Sequence, residues 1–515
     1  MGNFKTYSSG AVRAMLILVF LALVFVLPQS ASAWTAVNGG ATKATAAAIT
    51  ADSVWYYEPV QDQDTVADWT ERWDKVTLSA SGRIIISTEN NRDPVTYVVY
   101  DDENRKIGSV SLGAATEDEN GDKVEYRHSI DYDVAGGTYY LCFSRPANST
   151  VVNYGLKVRL ADAGETLSPA KDKASDLVSE AKKQSAIKLN KRYTGWLAVN
   201  DATDAYKVAL SSSGRLSIEL ISELKSMDFE LYDHYGTKIY YETLSKTSGT
   251  TRNIDLVKGN YYFKFSRNSV TDTGKYKVKA TFESADETQA ETATSTNNTI
   301  AKAKARSAIS FGKANRGQFA ANDDIDIFRI YVTRPGNLLL GLNSAIGTMQ
   351  VRLLDSSQNR VPGKITFREG KSALTYTVKK GTYYLSCKRA TYSNTGVYLF
   401  KVYQQPLPTQ VVAKKRLKKA VRIRWKKISG VTGYQIMIAK NSKFTKGKRV
   451  ITISENNKRT VIRKLKKGKI YYVKIRSYCK TFGKTVYSSW GKTRKVRAKK
   501  EIKVKKTTKK SKKKS

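Results

Sequence analysis

The sequence contains few of the residues that build metal centres, disulfide frameworks and His-based catalytic sites. Its 515 residues include two His, three Cys and nine Pro. Two His leave few ways to assemble a catalytic triad or a His-rich zinc site, and three Cys cannot form a disulfide framework. The sequence motifs of serine hydrolases, zinc peptidases and P-loop enzymes are missing. We therefore expect a fold held together by buried cores, and no enzyme activity.

Acidic residues are scarce at one end of the chain. Residues 411–515 contain 39 Lys and Arg but only two acids, Glu455 and Glu501. This end therefore carries most of the formal net charge of +44, whereas residues 52–160 contain more acids than bases. Such asymmetry predicts an anionic partner at the basic end. The alternative is that the charge only keeps this end solvated and extended.

Long hydrophobic runs are absent except near the amino terminus, where residues 14–27 are all apolar. Lys5 and Arg13 precede this run, and the small residues 31–33 follow it. This order is typical of a secretory signal peptide, which we assign to residues 1–33. The alternative is an uncleaved anchor. We expect an exported protein, secreted or associated with the cell wall, and unpaired Cys in an exported chain favour a Gram-positive bacterium.

The middle of the chain contains one unit three times. A Gly-x-Tyr-Tyr motif begins at Gly137, Gly259 and Gly381, with a step of 122 residues between successive copies. A step of this length predicts a whole domain for each copy, because solenoid repeats are much shorter. The first copy is longer: it has 55 residues from Gly82 to its motif, against 45 in the other two. We expect the acidic stretch 117–122 to form part of a loop insertion there.

Each copy shows the pattern of β-strands. Tyr206, Val208 and Leu210 alternate with polar residues, and the alternation resumes after a turn at Gly214. Period-two alternation interrupted by turn residues predicts an all-β fold of antiparallel β-sandwiches. The predicted units are sandwiches at 52–160, 186–283 and 308–405, with linkers of weak helical character at 161–185 and 284–307.

The three copies also share an order of elements. An Asp-x-x-Asp precedes the first core strand, and a Gly-centred turn, the Gly-x-Tyr-Tyr motif and a closing Gly-x-Tyr strand follow. In this order the copies resemble the bacterial pre-peptidase C-terminal domain, although in the first copy Trp73-Asp74 replaces the Asp-x-x-Asp and Val152 replaces the Gly of the closing Gly-x-Tyr. The resemblance implies jelly-roll-like β-sandwiches of the kind attached to secreted peptidases and other exported proteins. Some members bind collagen or polysaccharide, but no peptidase is recognisable in this chain.

A different pattern occupies residues 416–497. An alternating strand ends on Trp425, and a later segment reads Leu465-x-x-Gly-x-x-Tyr471-x-Val-x-Ile. This segment resembles a fibronectin type III domain, an immunoglobulin-like β-sandwich. The resemblance implies that Trp425 is the core Trp of the second strand and that the Tyr471 hydroxyl bonds the backbone of the preceding turn. Residues 498–515 form a Lys-rich tail that is too charged to fold alone.

Two sets of residues are candidates for binding. The first is a group of acids that could provide oxygen ligands for Ca²⁺, namely Asp201, Asp204, Asp323 and Asp326. Some relatives of the resembled domain bind calcium near this element. The alternative is that these acids cap the turn that enters the strand. We otherwise expect no cofactor.

The second set is the outer Tyr of each Gly-x-Tyr-Tyr motif. Successive side chains of a strand point to opposite faces, so Tyr139, Tyr261 and Tyr383 are expected in the core. Their neighbours are expected to point outward, where they could stack on sugar or peptide; these are Tyr140, Tyr262 and Tyr384. The alternative is ordinary packing on a half-covered face.

These observations favour a monomeric bacterial surface protein with a non-catalytic role in attachment or adhesion. Its basic end would be held by an anionic cell-wall polymer or by lipid head groups, and its other end would face a polysaccharide or matrix protein. DNA would bind the basic end by charge alone, so we expect no specific nucleic-acid partner. A second hypothesis is a secreted polysaccharide- or protein-binding module that serves partner hydrolases. A third is an enzyme with an unrecognised site.

Overall fold

The computed structural model describes residues 34–36, 39–57, 70–90, 95–113, 116–117, 123–124, 126–145, 154–166, 178–292 and 294–499. The predicted signal peptide and almost all of the predicted tail lie outside these residues. Within them the chain is all-β, as the sequence predicts, and forms a series of β-sandwiches. None of its described helices is long and apolar enough to cross a bilayer.

The first sandwich consists of two five-stranded sheets, ordered β1-β3-β12-β5-β10 and β2-β4-β11-β6-β7. Its elements are β1 (Trp34–Ala36), a 3-10 helix (Lys43–Thr45), β2 (Ala47–Ile49), β3 (Asp52–Tyr57), β4 (Glu71–Leu78), β5 (Gly82–Asn90), β6 (Val95–Asp101), β7 (Lys106–Leu112), β8 (Thr116–Glu117), β9 (Lys123–Val124), β10 (Tyr126–Val134), β11 (Gly137–Ser144) and β12 (Tyr154–Asp162). Among the described strands β8 and β9 pair with each other alone, and most of the acidic stretch 117–122 lies outside the described residues.

The second and third sandwiches share one topology. The second contains α1 (Val178–Ala181), β13 (Arg192–Leu197), β14 (Thr203–Leu210), β15 (Gly214–Tyr232), β16 (Lys238–Leu256), β17 (Gly259–Arg267) and β18 (Gly274–Ser284). The third contains α2 (Ile300–Ala305), β19 (Ala314–Phe319), β20 (Ile325–Val332), β21 (Gly336–Leu354), β22 (Thr366–Val378), β23 (Gly381–Arg389) and β24 (Gly396–Gln404).

A single long strand joins the two layers of each of these sandwiches. β15 pairs with β18 over residues 214–222 and with β17 over residues 227–232, and its register shifts between the two halves. β21 divides its pairing between β24 and β23 in the same way. In the first sandwich, β5 and β6 occupy these two positions as separate strands. The apolar residues that alternate along these strands face inward and form one core per sandwich.

The fourth domain has sheets β25-β26-β29 and β28-β27-β30-β31, with β32 also paired to β30. Its strands are β25 (Val411–Leu417), β26 (Ala420–Trp425), β27 (Gly433–Ala439), β28 (Arg449–Ser454), β29 (Arg459–Ile462), β30 (Ile470–Lys480), β31 (Thr485–Tyr487) and β32 (Arg494–Arg497). Trp425 is buried against Tyr434, with ring centroids 5.3 Å apart. The backbone N–H of Lys466 donates to the Tyr471 hydroxyl at 3.0 Å. Both contacts agree with the roles that the fibronectin resemblance implies.

Candidate functional site

The inner Tyr of each Gly-x-Tyr-Tyr motif is a core residue, as the alternation predicts. Tyr139, Tyr261 and Tyr383 are all buried. The hydroxyl of Tyr139 donates to the Ala135 carbonyl at 2.6 Å, and that of Tyr261 donates to the Val257 carbonyl at 2.7 Å. Each buried ring thus keeps a partner for its polar atom, which is the condition for placing Tyr in a core.

The outer Tyr residues do not form the exposed face that the sequence suggested. Tyr262 is 4% exposed and Tyr384 is 3% exposed, and only Tyr140 is half-buried. Tyr262 packs against Ala181 of α1, and Tyr384 packs against Ala303 of α2. The expectation of exposure is therefore wrong for these two, because the segments predicted as linkers contain short helices that cover the outer sheet face. Above Tyr140, the ammonium of Lys43 lies 4.2 Å from the ring centroid.

One buried contact recurs in the second and third sandwiches. The Tyr276 hydroxyl donates to Asp204 at 2.7 Å, and the Tyr398 hydroxyl donates to Asp326. Gly195 and Gly317 lie beneath these rings, where an added Cβ would be 2.2 Å and 2.6 Å from a ring atom. The repeated Gly, Asp and Tyr therefore pack together as one unit in each of these two sandwiches.

In the third sandwich this contact borders a cluster of buried acids. The carboxylates of Glu291, Asp323 and Asp326 lie with their oxygens within 4.8 Å of one another, and all three residues are buried. Among the described residues, Asp323 Oδ1 and Oδ2, Asp326 Oδ1 and Glu291 Oε2 have no partner within hydrogen-bond geometry, although Asn298 and the Ile325 N–H lie close enough to Asp323 to act against the rise of its pKa. Glu291 belongs to the segment 284–307 that the sequence assigned to a linker, so this segment supplies part of the cluster.

Burial raises the pKa of each of these carboxyls above its ordinary value, and repulsion between neighbouring acids adds to the effect. Burial also raises the pKa of nearby Glu287 to about 6. Several acids cannot remain ionised together in a buried site unless protons or a cation compensate their charge. The donor set consists of hard oxygen atoms, several without hydrogen-bond donors, and this composition fits Ca²⁺.

In the third sandwich, the cluster adds one acid to the residues that the sequence suggested as calcium ligands. Asp323 and Asp326 are brought together with Glu291, which sequence reasoning missed. Asp201 and Asp204 occupy the same positions of the second sandwich and are buried, but the 122-residue step places Pro169, which has no carboxylate, at the position of Glu291. The missed signal was a pair of acids, Glu287 and Glu291, just ahead of a repeated domain.

A second set of repeated polar residues joins the first sandwich to the second. Asp133 accepts from Thr273 Oγ1 at 2.8 Å and from Arg83 Nε at 2.8 Å. Its carbonyl accepts the backbone N–H of Val199 at 2.9 Å. Asn200 Nδ2 donates to the Tyr139 hydroxyl at 2.9 Å. Asp133 is buried by these contacts.

The same contacts join the second sandwich to the third. Asp255 accepts from Thr395 Oγ1 at 2.8 Å and from Arg215 Nε at 3.0 Å, and its carbonyl accepts the N–H of Ala321 at 2.8 Å. Asn322 Nδ2 donates to the Tyr261 hydroxyl at 3.2 Å. The two junctions are therefore built from one repeated set of residues.

The third sandwich lacks the residues that join one sandwich to the next. Asn337 and Thr377 stand where the second sandwich has its Arg–Asp pair. This sandwich instead contributes Leu339 and Tyr403 to the core of the fourth domain, and Thr432 donates to the Tyr403 hydroxyl at 3.1 Å.

The three Cys are buried and unpaired. Burial raises the pKa of Cys142 and of Cys479 to about 12 and raises that of Cys387 further. At neutral pH all three are thiols, the unreactive form.

No family model and no curated protein matches the chain. Among solved structures, the chain is similar to the pre-peptidase C-terminal domain of a Bacillus anthracis collagenase, with 21% identity over 18% of this chain and 91% of that one, and a TM-score of 0.17. It is similar to a two-domain fibronectin type III segment of chicken tenascin, with 14% identity over 34% of this chain and 98% of that one, and a TM-score of 0.18. A β-1,2-glucanase from Parabacteroides distasonis matches with 10% identity over 35% of this chain and only 31% of its own length, with a TM-score of 0.17. The structural neighbours thus include both kinds of β-sandwich.

Proposed function

We propose that this protein is an exported, non-catalytic attachment protein of a bacterial surface. In this proposal the first three sandwiches belong to the pre-peptidase C-terminal kind and the fourth to the fibronectin type III kind. The basic end binds an anionic polymer of the cell wall, and the acidic first sandwich lies away from it. The observation that carries the proposal is the charge of residues 411–515, which contain 39 Lys and Arg and only two acids. So few internal acids cannot neutralise these cations, and a polyanion can.

The experiment that tests attachment is sedimentation of the mature chain with isolated bacterial walls. Binding should be strong at 0.1 M salt and lost at 1 M, because the screening length falls from about 10 Å to about 3 Å. Removal of residues 500–515 should move release to lower salt without abolishing binding, since the fourth domain is itself basic. Equal binding to walls stripped of their anionic polymers, or binding that ignores salt, would contradict the proposal.

We further propose that Ca²⁺ binds Glu291, Asp323 and Asp326, and so fixes the segment before the third sandwich to its core. The unpartnered carboxylate oxygens support this assignment. Ca²⁺ should raise the melting temperature, because a ligand of the folded state alone stabilises it by about 2.7 kcal/mol at 100 times its Kd. Asp326→Asn should abolish the increase, while Asp324→Asn, which removes a neighbouring acid outside the cluster, should retain it. An unchanged melting curve for the parent chain in millimolar Ca²⁺ would reject the site.

The proposal includes the absence of catalysis. Its support is the sequence, which offers no recognisable nucleophile–base pair. The mature chain should release no products from casein, collagen or common glycans. Turnover that survives repurification and disappears with a point mutation would contradict this part of the proposal. The hypothesis of a sugar-binding module is weakened, because the burial of Tyr262 and Tyr384 removes two of its three predicted anchors.

A further inference from the structure

The cations of the fourth domain are divided between two sheet faces with different surroundings. On the outer face of β27-β30, Arg476 lies between two aromatic rings, 3.8 Å from the Tyr487 centroid and 4.3 Å from that of Trp490. Lys474 lies 4.2 Å from the Phe444 centroid and 5.0 Å from that of Trp490. Arg476 also donates to Gln435 Oε1 at 2.6 Å. These two cations are thus engaged by the domain's own rings and amide.

The outer face of the other sheet differs. β26 alternates buried Val421, Ile423 and Trp425 with outward Arg422 and Arg424. Across the strands, Lys415 is directly opposite Arg422, and Arg424 is directly opposite Arg459. We call these four residues the basic face: Lys415, Arg422, Arg424 and Arg459. Lys415, Arg424 and Arg459 are exposed and Arg422 is half-buried.

Like charges placed opposite each other on neighbouring strands destabilise a sheet. The basic face contains two such pairs, and none of its members forms an ion pair with another described residue. Glu455 is the single acid among residues 411–499. The domain therefore maintains a repulsive arrangement on one face, and an anionic partner laid across it would relieve the repulsion.

Resting on the attachment function proposed above, we infer that the basic face is the part of the fourth domain that binds the wall polymer, and that its ligand is a polymer of phosphodiester-linked polyol units. Three of its four cations are Arg, whose planar fork can donate two hydrogen bonds to the non-ester oxygens of one phosphate. Cations on one face recur about 6.8 Å apart along a strand and about 4.8 Å apart between strands. A flexible chain with regularly repeated phosphates can contact several of them at once.

The residue types on the basic face favour a polymer without nucleic-acid bases. The remaining outward residues of the same rows, Ala413 and Val461, are not aromatic. Binding of single-stranded nucleic acid relies on aromatic side chains that stack on bases. The aromatic residues named above lie on the other sheet of the domain. There Lys474 and Arg476 already form cation–π contacts with their rings.

Two variants of the mature chain with equal loss of charge test the inference. The face variant carries Lys415→Gln, Arg422→Gln, Arg424→Gln and Arg459→Gln. The control variant carries Lys440→Gln, Lys443→Gln, Lys446→Gln and Lys448→Gln, which lie together near the β27–β28 connection and are exposed. Binding to purified poly(glycerol phosphate) is measured by titration between 0.05 M and 0.3 M salt, with melting curves as the folding check.

The face variant should bind at least tenfold more weakly at 0.1 M salt, and the control less than threefold more weakly. The slope of log affinity against log salt should fall by roughly 0.7–0.9 per removed phosphate contact in the face variant only. The face variant should melt at the same or a higher temperature than the parent, because its repulsive pairs are gone.

The remaining outcomes separate the face from the function. Equal weakening of both variants would reject the basic face while leaving attachment by overall charge in place. No binding of the parent chain to poly(glycerol phosphate) or to walls at low salt would reject both. Equal affinity for poly-glutamate of matched charge, or for single-stranded DNA, with the same loss in the face variant, would reject the polyol-phosphate assignment.

Discussion

The buried Tyr–Asp contact explains at the residue scale why particular residues recur at the 122-residue step. Tyr398 donates to Asp326 while its ring lies over Gly317. Each member needs the others: the carboxylate needs a donor, the hydroxyl needs an acceptor, and the ring needs a position without a side chain. A repeated Gly of this kind reflects close packing rather than a turn.

Gly317→Ala should therefore destabilise the third sandwich by about 1–3 kcal/mol, because the new methyl would have to displace a buried ring. Gly347→Ala is the matched control in the same sandwich, since the nearest atom to its added Cβ is at 3.5 Å. Chemical denaturation followed by Tyr and Trp fluorescence measures the difference. Equal stability of the two variants would show that the ring moves aside freely.

The acidic cluster predicts an unusual pH dependence in the presence of a chelator. The pKa values of Glu291, Asp323 and Asp326 are raised in the folded state, so folding takes up protons as soon as the unfolded carboxyls ionise, near pH 4. The stability conferred by these protons is present at low pH and is lost as pH rises through the folded-state values, by about 1.4 kcal/mol per pH unit for each proton.

With chelator, the melting temperature should therefore fall from pH 5 to pH 8, and Ca²⁺ should restore it at pH 8. Asp326→Asn should flatten the decline, and Asp324→Asn should not. Thermal melts at constant ionic strength test this expectation. A melting temperature that rises with pH in chelator would mean that the acids are ionised and stabilised by other groups.

At the element scale, the two short helices are the feature that alters the binding hypothesis. α1 and α2 have four and six residues, too few to be stable alone. They persist because Ala181 and Ala303 pack on the sheet beneath them. By covering Tyr262 and Tyr384, they convert a half-exposed sheet face into a small second core.

Ala303→Asp should detach α2, because it places an unpaired carboxylate against Tyr384 and Ile327. The expected cost is about 3 kcal/mol. Ala301→Asp introduces the same charge at an exposed position of the same helix and should cost little. Limited proteolysis within 284–307 reads out the detachment. Protection of this segment in the Ala303 variant would contradict the packing role.

The strands were predictable because alternation indicates directly which face of a strand each side chain occupies, and the inner Tyr residues were placed correctly on this basis; the core position of Trp425 came from the fibronectin type III resemblance. Exposure of the outer face was not predictable in the same way, because it depends on what a neighbouring segment does. The segment 284–307 is rich in Ala and Thr, which indicates a linker locally, and its helix is stabilised only by tertiary contact. Glu291 was missed for the same reason: it meets Asp323 through the fold and not through sequence spacing.

At the scale of the whole molecule, the residues at the junctions determine which domain can follow which along the chain. Asp133 and Asp255 each accept hydrogen bonds from the domain that follows, whereas Thr377 occupies this position in the third sandwich. The series therefore stops after three, and the fourth domain is joined through apolar contacts of Leu339 and Tyr403. Fixed junctions would separate the basic end from the acidic first sandwich, which suits attachment at one end.

Asp255→Ala should uncouple the second and third sandwiches without unfolding either, because it removes the shared acceptor of Arg215 and Thr395. Asp228→Ala is the matched control, since Asp228 accepts from Thr243 within the same sandwich and makes no bond across the junction. Small-angle X-ray scattering of the mature chain should show a larger radius of gyration and a broader distribution of interdomain distances for the Asp255 variant alone. Unfolding of that variant should also separate into more steps, because domains that no longer contact each other melt independently. Scattering identical to that of the parent chain would mean that backbone contacts, such as that from the Ala321 N–H to the Asp255 carbonyl, are enough to hold the junction.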